Sequence, residues 1–304
     1  MLFWRLLLSA IFVPGMLALC WLDLHVSPRG VVLVPFGAVV CCLAVEELVG
    51  LFKAAHFHVN RWVIHIGCIA LMFMSGLPHW MAARDLGPLG GWGPAAVAFA
   101  ACVGWTFADA IRTYNKPEDA LVRFALATAA IAYLGWLFSV MVHILWVGPE
   151  NRTNAAYGIT ALASLLICVK MGDIGAYTVG RLIGRNRLAP LVSPGKTVEG
   201  LAGGLAFSVA GAWIAFALIA PLIIGMPFDF TPGRSWLMWG VYGVCICLAG
   251  ILGDLSESML KRSVGRKDSS TWMPGFGGVL DLIDSILMAA PAAYLFWSLG
   301  WIEL

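Results

Sequence analysis

The chain has 304 residues, of which 61% are hydrophobic and only 12% charged, and its mean hydropathy is +0.87. A soluble domain is about 25% charged, so this composition excludes a disordered chain, a basic nucleic-acid-binding domain, a secreted disulfide scaffold and a water-soluble enzyme. The formal net charge of +2 is small, so the placement of charge carries more information than its sum.

A membrane-spanning helix needs about 20 mostly apolar residues. Nine stretches qualify, at roughly 5–22, 31–52, 62–81, 93–112, 124–147, 157–180, 200–225, 236–258 and 278–299. The fold expected is therefore all-α, a polytopic integral membrane protein of about nine transmembrane helices. Residues 1–150 supply an N-terminal group of about five spans. Residues 151–304 supply a C-terminal catalytic region of about four spans with two cytoplasmic loops. The first stretch has only Arg5 ahead of its apolar run and no small-residue cleavage site after it, so it reads as a retained span.

Basic residues sort by loop. Lys53, Arg61, Arg112, Lys116, Arg123, Arg181, Arg185, Arg187, Lys196, Lys261, Arg262, Arg266 and Lys267 fall in even-numbered loops, against Arg29, Arg84, Arg152 and Arg234 in odd ones. The positive-inside rule then puts the N-terminus and the even loops in the cytoplasm, as for a protein of the cytoplasmic (inner) membrane. The two longest of these loops, about 181–199 and 259–277, also hold the densest charge and the most Gly and Pro. Function is expected there.

The eight cysteines lie in apolar stretches without a CxxC pair and read as small core residues. All six histidines precede residue 144. A His/Cys zinc site in the second half is excluded on that ground, and any metal there needs oxygen ligands, as magnesium does.

Ionisable groups inside spans are costly and face a bundle interior or a wet cavity. Glu46, Glu47 and Asp109 lie near span ends, where structural and functional readings are equally open. In the second half the acids cluster. Asp254, Glu257, Ser258 and Lys261 follow i, i+3, i+4, i+7 and share one face of the eighth span. Asp281 and Asp284 are i, i+3 on the ninth. Three carboxylates from two consecutive spans, ringed by Lys196, Lys261, Arg262, Arg266 and Lys267, point to a divalent cation with polyphosphate. Buried ion pairs that lock the bundle are the alternative.

Between the sixth and seventh spans, Gly195-Lys196-Thr197 ends like a P-loop, but Pro190 stands where the first glycine belongs and no strand is expected ahead of it. A Ser/Gly/Lys turn entering a helix remains, with backbone N–H groups and Lys196 available to phosphate. Gly200 and Gly204 form G-x-x-x-G, read as close helix packing. Gly275, Gly277 and Gly278 precede the ninth span, either to admit a ligand or as a tight loop.

Two blocks of residues carry a resemblance. Gly253-Asp254-Leu255-Ser256-Glu257-Ser258-Met259-Leu260-Lys261-Arg262, followed by Lys267-Asp268, Pro274-Gly275, Gly277-Gly278, Asp281 and Asp284, resembles the signature of the phosphatidate cytidylyltransferases. Asp173-Ile174-Gly175-Ala176-Tyr177, Gly180-Arg181, Leu188-Ala189-Pro190, Ser193-Pro194-Gly195-Lys196-Thr197 and Glu199-Gly200 resemble the second block of that family. The resemblance implies that phosphatidate and CTP give CDP-diacylglycerol and pyrophosphate, with Mg²⁺ and room for a second cation. It implies Asp254, Asp281, Lys261 and Lys196 as catalytic residues, and Asp254, Asp281 and Asp284 as metal ligands. Asp173, Ser193, Gly195, Thr197, Ser258, Arg262, Lys267, Asp268, Gly277 and Gly278 are the implied substrate contacts. The partners implied are CTP, phosphatidate and the lipid bilayer, with no nucleic acid; a homodimer stays open.

Two positions depart from the family's pattern. Phe276-Gly277-Gly278 stands where the family has His-Gly-Gly, and Asp281-Leu282-Ile283-Asp284 where it has Asp-Arg-x-Asp. Lys170, three residues before Asp173, occupies a place where an apolar or aromatic residue is more usual, and either restores some of the missing positive charge or simply pairs with Asp173. The competing readings are a CTP-dependent polyprenol or lipid kinase, a synthase for another lipid phosphate, a non-catalytic paralogue and a transporter.

Overall fold

A computed structural model describes residues 2–81, 87–115, 117–148, 155–225, 234–270, 277–302 and 304. The helices in chain order are α1 (Leu2–His25), α2 (Leu33–Ala54), α3 (Arg61–Trp80) and α4 (Gly93–Arg112). They continue with α5 (Asp119–Ile144), α6 (Ala155–Ile183) and α7 (Val198–Ile224), then α8 (Arg234–Ser263) and α9 (Leu280–Ser298). Among the described residues, eight helices, α2 to α9, contain windows long and apolar enough to cross a membrane. Each coincides with a span expected from hydropathy, and the remaining expected span lies within α1. The protein is a polytopic, all-α integral membrane protein.

One correction concerns residues 187–197. A turn was expected to lead directly into a helix. The chain instead forms a short antiparallel hairpin, β1 (Arg187–Ala189) with β2 (Ser193–Thr197), pairing Arg187 with Thr197 and Ala189 with Ser193. Strands of three and five residues, with Pro and Gly in the second, show no alternation by which to recognise them.

Two compact units make up the chain: Met1–His143 with Ser263–Leu282, and Ile144–Arg262 with Ile283–Leu304. In the first, α2 presents Val34, Cys41, Val45, Leu48 and Phe52 to the core. No side chain of its own caps the helix. The carboxylate of Asp23, at the end of α1 and 2% exposed, accepts from Gly30 N, Val32 N and Leu33 N at 2.9, 3.0 and 3.2 Å. A buried carboxylate is tolerable only when hydrogen-bonded, and amide donors at a helix start suit an anion. Asp23→Ala is expected to cost about 1–2 kcal/mol, as for loss of a capping side chain, read as a lower thermal midpoint in detergent.

His143 belongs to this core. Its ring stacks on Trp92 at 3.8 Å, and its Nδ1 lies 2.9 Å from Ser139 O. The cysteines are free thiols, and Cys41, Cys68, Cys102, Cys168 and Cys247 are buried.

In the second unit, α6 and α7 touch through small residues. A Cβ placed at Gly175 would meet Phe207 Cβ at 2.5 Å and Gly203 O at 2.6 Å; one at Gly203 would meet Val179 Cβ at 2.5 Å. One at Gly200 would meet Ala176 O at 2.8 Å. The packing reading of Gly200 and Gly204 therefore holds, with Gly203 as the tightest contact of that helix. An aromatic core fills the rest of the unit around Phe216, Tyr242 and Trp297, and the hydroxyl of fully buried Tyr242 meets Ser164 Oγ at 2.8 Å.

Candidate active site

The hairpin delivers the first site residue. Asn186 O accepts from Val198 N at 2.9 Å, and Glu199 accepts from Arg185 N at 3.0 Å and Asn186 Nδ2 at 2.8 Å. Thr197, extended at φ −126°, caps α7 by accepting from Gly200 N at 3.0 Å. Thr197 is an expected substrate contact; here the residue is 5% exposed and its hydroxyl caps the head of a helix. Ser193 and Gly195 stand on the same strand, and Pro194 O accepts from Arg187 Nη1 at 2.7 Å. This frame aims Lys196 at α8, where its Nζ lies 2.6 Å from Asp254 Oδ2.

On α8 the i, i+4 spacing works as read. Ser258 Oγ donates to Asp254 Oδ1 at 3.3 Å. One turn further, Lys261 and Glu257 form an ion pair, with Glu257 1% and Lys261 8% exposed. Lys261 was expected to meet substrate phosphate, and this structure commits it to an internal carboxylate. Arg262 is exposed, and its Nε donates to Val192 O in the hairpin loop at 3.4 Å.

Further carboxylates of the same unit surround Asp254. Lys170 and Asp173 on α6 pair at 3.3 Å, and Asp173 lies within electrostatic reach of Asp254 and Lys196. Asp284, 5% exposed, lies within reach of Asp254, Asp173 and Lys170. The α8 and α9 backbones meet closely here, because a Cβ at Gly253 would lie 2.5 Å from Asp284 O. The expectation that these spans are neighbours is met, and glycine beside Asp254 is what allows it.

The first unit holds the other predicted residues. Lys267 and Asp268 are exposed and line a cavity of about 600 Å³ with Glu46, Glu47, Arg266 and Ser270. Asp281 opens α9, and its Oδ2 accepts from Ser269 Oγ, Gly278 N and Ser269 N at 2.7, 2.8 and 3.1 Å. Gly277 has φ +86°, which favours glycine, and a side chain at Gly278 would collide with Ser269 and Glu47. Asp109, near the end of α4, accepts at 2.7 Å from Nδ2 of Asn60, the residue that caps α3. Glu46 faces His65 at 3.5 Å. Phe276, with Pro274 and Gly275, lies outside the described residues.

Asp254 and Asp284 fall in one unit and Asp281 in the other. Among the described residues, no three His, Cys, Asp or Glu side chains converge to hold a metal. Mg²⁺ does not require an all-protein cage: it is commonly bound by one or two carboxylates together with substrate phosphates and water. Hard carboxylate oxygens with a lysine 2.6 Å away fit that mode and do not fit a structural zinc centre.

In the second unit, carboxylates on three long apolar helices and a lysine from the hairpin form one charged cluster, a chemistry suited to anionic groups. The chain belongs to the cytidylyltransferase family, which it matches over residues 3–299. It is 29% identical to the phosphatidate cytidylyltransferase of Staphylococcus aureus over 262 residues, 86% of this chain and 88% of the relative. It is 38% identical to the phosphatidate cytidylyltransferase of Synechocystis over 159 residues, 50% of this chain and 46% of the relative. It is also 36% identical to the uncharacterized protein YnbB of Escherichia coli over 173 residues, 56% of this chain and 54% of the relative. The chain thus spans about half the length of two of these relatives and most of the third.

Proposed function

We propose that the chain transfers the cytidylyl group of CTP to phosphatidate, forming CDP-diacylglycerol and pyrophosphate. The observation that carries this is the Lys196–Asp254 pair, which joins the two sequence blocks of the family resemblance in one charged cluster. A phosphatidate oxygen attacks the α-phosphorus of CTP. A new P–O bond forms, the bond from the α-phosphorus to the bridging oxygen breaks, and pyrophosphate leaves with that electron pair. The phosphatidate phosphate is already the nucleophile, so no side chain need attack.

The protein's task is to hold two anions together and stabilise the leaving group. Lys196 and Arg262 would neutralise phosphate oxygens, and Lys267 stays a proposed substrate contact of its own unit. Ser193 and Gly195 would offer hydrogen bonds along the hairpin, and Asp173 would hold Lys170 and Lys196 in place. Asp254 and Asp284 are the carboxylates proposed to hold Mg²⁺, and Asp281 stays a proposed site residue of its own unit. When bound, the ion would supply charge neutralisation to the phosphates. The charged loops and the positive-inside distribution support a cytoplasmic site and N-terminus in the inner membrane, where CTP is dissolved and phosphatidate lies in the leaflet.

The test is product analysis with purified protein, CTP, phosphatidate vesicles and Mg²⁺. Pyrophosphate and CDP-diacylglycerol are expected in equal amounts, only when the lipid is present. CDP in place of pyrophosphate would make the protein a kinase. Folded protein that yields neither product would overturn the assignment.

A further inference from the structure

One heavily bonded, buried carboxylate is left unassigned by the sequence alone. Glu47, on the buried face of α2 and 5% exposed, has four hydrogen-bonding groups around its carboxylate, all on residues more than 220 positions away. Its Oε1 accepts from Ser270 Oγ at 2.7 Å and Val279 N at 2.9 Å. Its Oε2 accepts from Leu280 N at 2.8 Å and lies 2.9 Å from Ser269 Oγ, whose one proton it shares with Asp281. Leu280 is the first residue of α9 and Asp281 the next.

The same Ser269 hydroxyl lies 2.7 Å from Asp281 Oδ2, so one side chain touches both carboxylates. Backbone amides on either side of the bend, Gly278 N to Asp281 and Val279 N to Glu47, tie the two acids to one short segment. Hydrogen bonds to a charged acceptor are stronger than neutral ones, and an anion at a helix start gains from the helix dipole. The other buried residues of α2 are apolar, so Glu47 adds nothing to the greasy packing of that helix. Its partners all lie in the loop and helix start that carry Asp281.

We infer that Glu47 is a positioning residue: it clamps Ser269, Ser270, Val279 and Leu280 and thereby fixes the place and direction of Asp281. The inference rests on the proposed reading, in which Asp281 serves cytidylyl transfer. Glu47 also lines the cavity that holds Lys267 and Asp268, so the clamp sits at the wall of a polar chamber and not in a lipid-facing seam.

The test uses full-length protein in detergent, with Glu47→Ala, Glu47→Gln and Asp281→Asn. Two quantities are read: CDP-diacylglycerol formation, and amide hydrogen exchange across residues 277–284. Glu47→Ala is expected to lower kcat by about 10²-fold, the scale of a misplaced catalytic group, with KM for CTP little changed. Exchange over 277–284 should quicken by about tenfold while α3 and α4 keep their protection. Glu47→Gln should recover only part of both, because its carboxamide oxygen can accept from one of the two amides while its NH₂ faces the other backbone N–H, a donor against a donor.

Wild-type kcat and exchange in Glu47→Ala would overturn the inference. So would exchange that rises equally across α2, α3 and α4, which marks a merely structural group. If wild-type protein makes no product, the proposed function fails and exchange alone decides: a local rise over 277–284 sustains the clamp, and no change removes it.

Discussion

Asp254→Asn is expected to lower the rate of cytidylyl transfer by about 10²–10³-fold, the scale seen when one preorganised electrostatic group is lost from an active site. The geometry sets this expectation. Asp254 stands 2.6 Å from Lys196 and accepts from Ser258, with Gly253 drawing α9 and Asp284 against its helix. Asparagine keeps the shape and removes the charge. Lys196 then loses the anion that aims it, so Lys196→Met should fall by a similar factor. Residues acting as one unit give non-additive losses, and the double variant is expected to be little worse than either single one. Initial rates at saturating phosphatidate measure all three. Losses that simply multiply would show that the pair does not act as a unit.

Lys261→Met is expected to destabilise the protein by about 3–5 kcal/mol, because it strips the partner from an internal carboxylate. Glu257 is 1% exposed and Lys261 is paired to it one turn along α8. Removing both charges together, as Glu257→Gln with Lys261→Met, should restore most of the thermal midpoint, since replacing a buried pair by uncharged groups is often close to neutral. A single variant that melts with the wild type would refute the pair's structural weight. The comparison also separates two roles for a residue expected from sequence to be catalytic. Activity per folded molecule that recovers in the double variant means that Lys261 acts through the fold.

What could be read in advance depended on range along the chain. The helices were legible because apolar runs of about 20 residues have few alternatives. The Asp254–Ser258 contact and the Glu257–Lys261 pair were legible as a shared face, because i, i+4 spacing is fixed by the helix itself. Which of those residues would pair internally was not, since that depends on burial. Lys196 and Asp254 were both named, but their contact spans a hairpin that leaves no periodic trace. Thr197 carries the ordinary mark of an N-cap, a threonine just ahead of an apolar run, and the structure shows that cap. Glu47 was hidden for a plainer reason: its partners Ser269 and Leu280 lie 222 and 233 residues away.

The glycine seam between α6 and α7 has an entropic side. A side chain loses rotamer freedom when it is buried, and glycine has none to lose. Where Gly175 meets Gly203 O and Gly200 meets Ala176 O, two helices lie backbone to backbone with little side-chain ordering. The ordering cost falls on the main chain, which each helix has already fixed before they meet. The β1–β2 hairpin that joins them is thus closed by partners whose association demands little further loss of freedom.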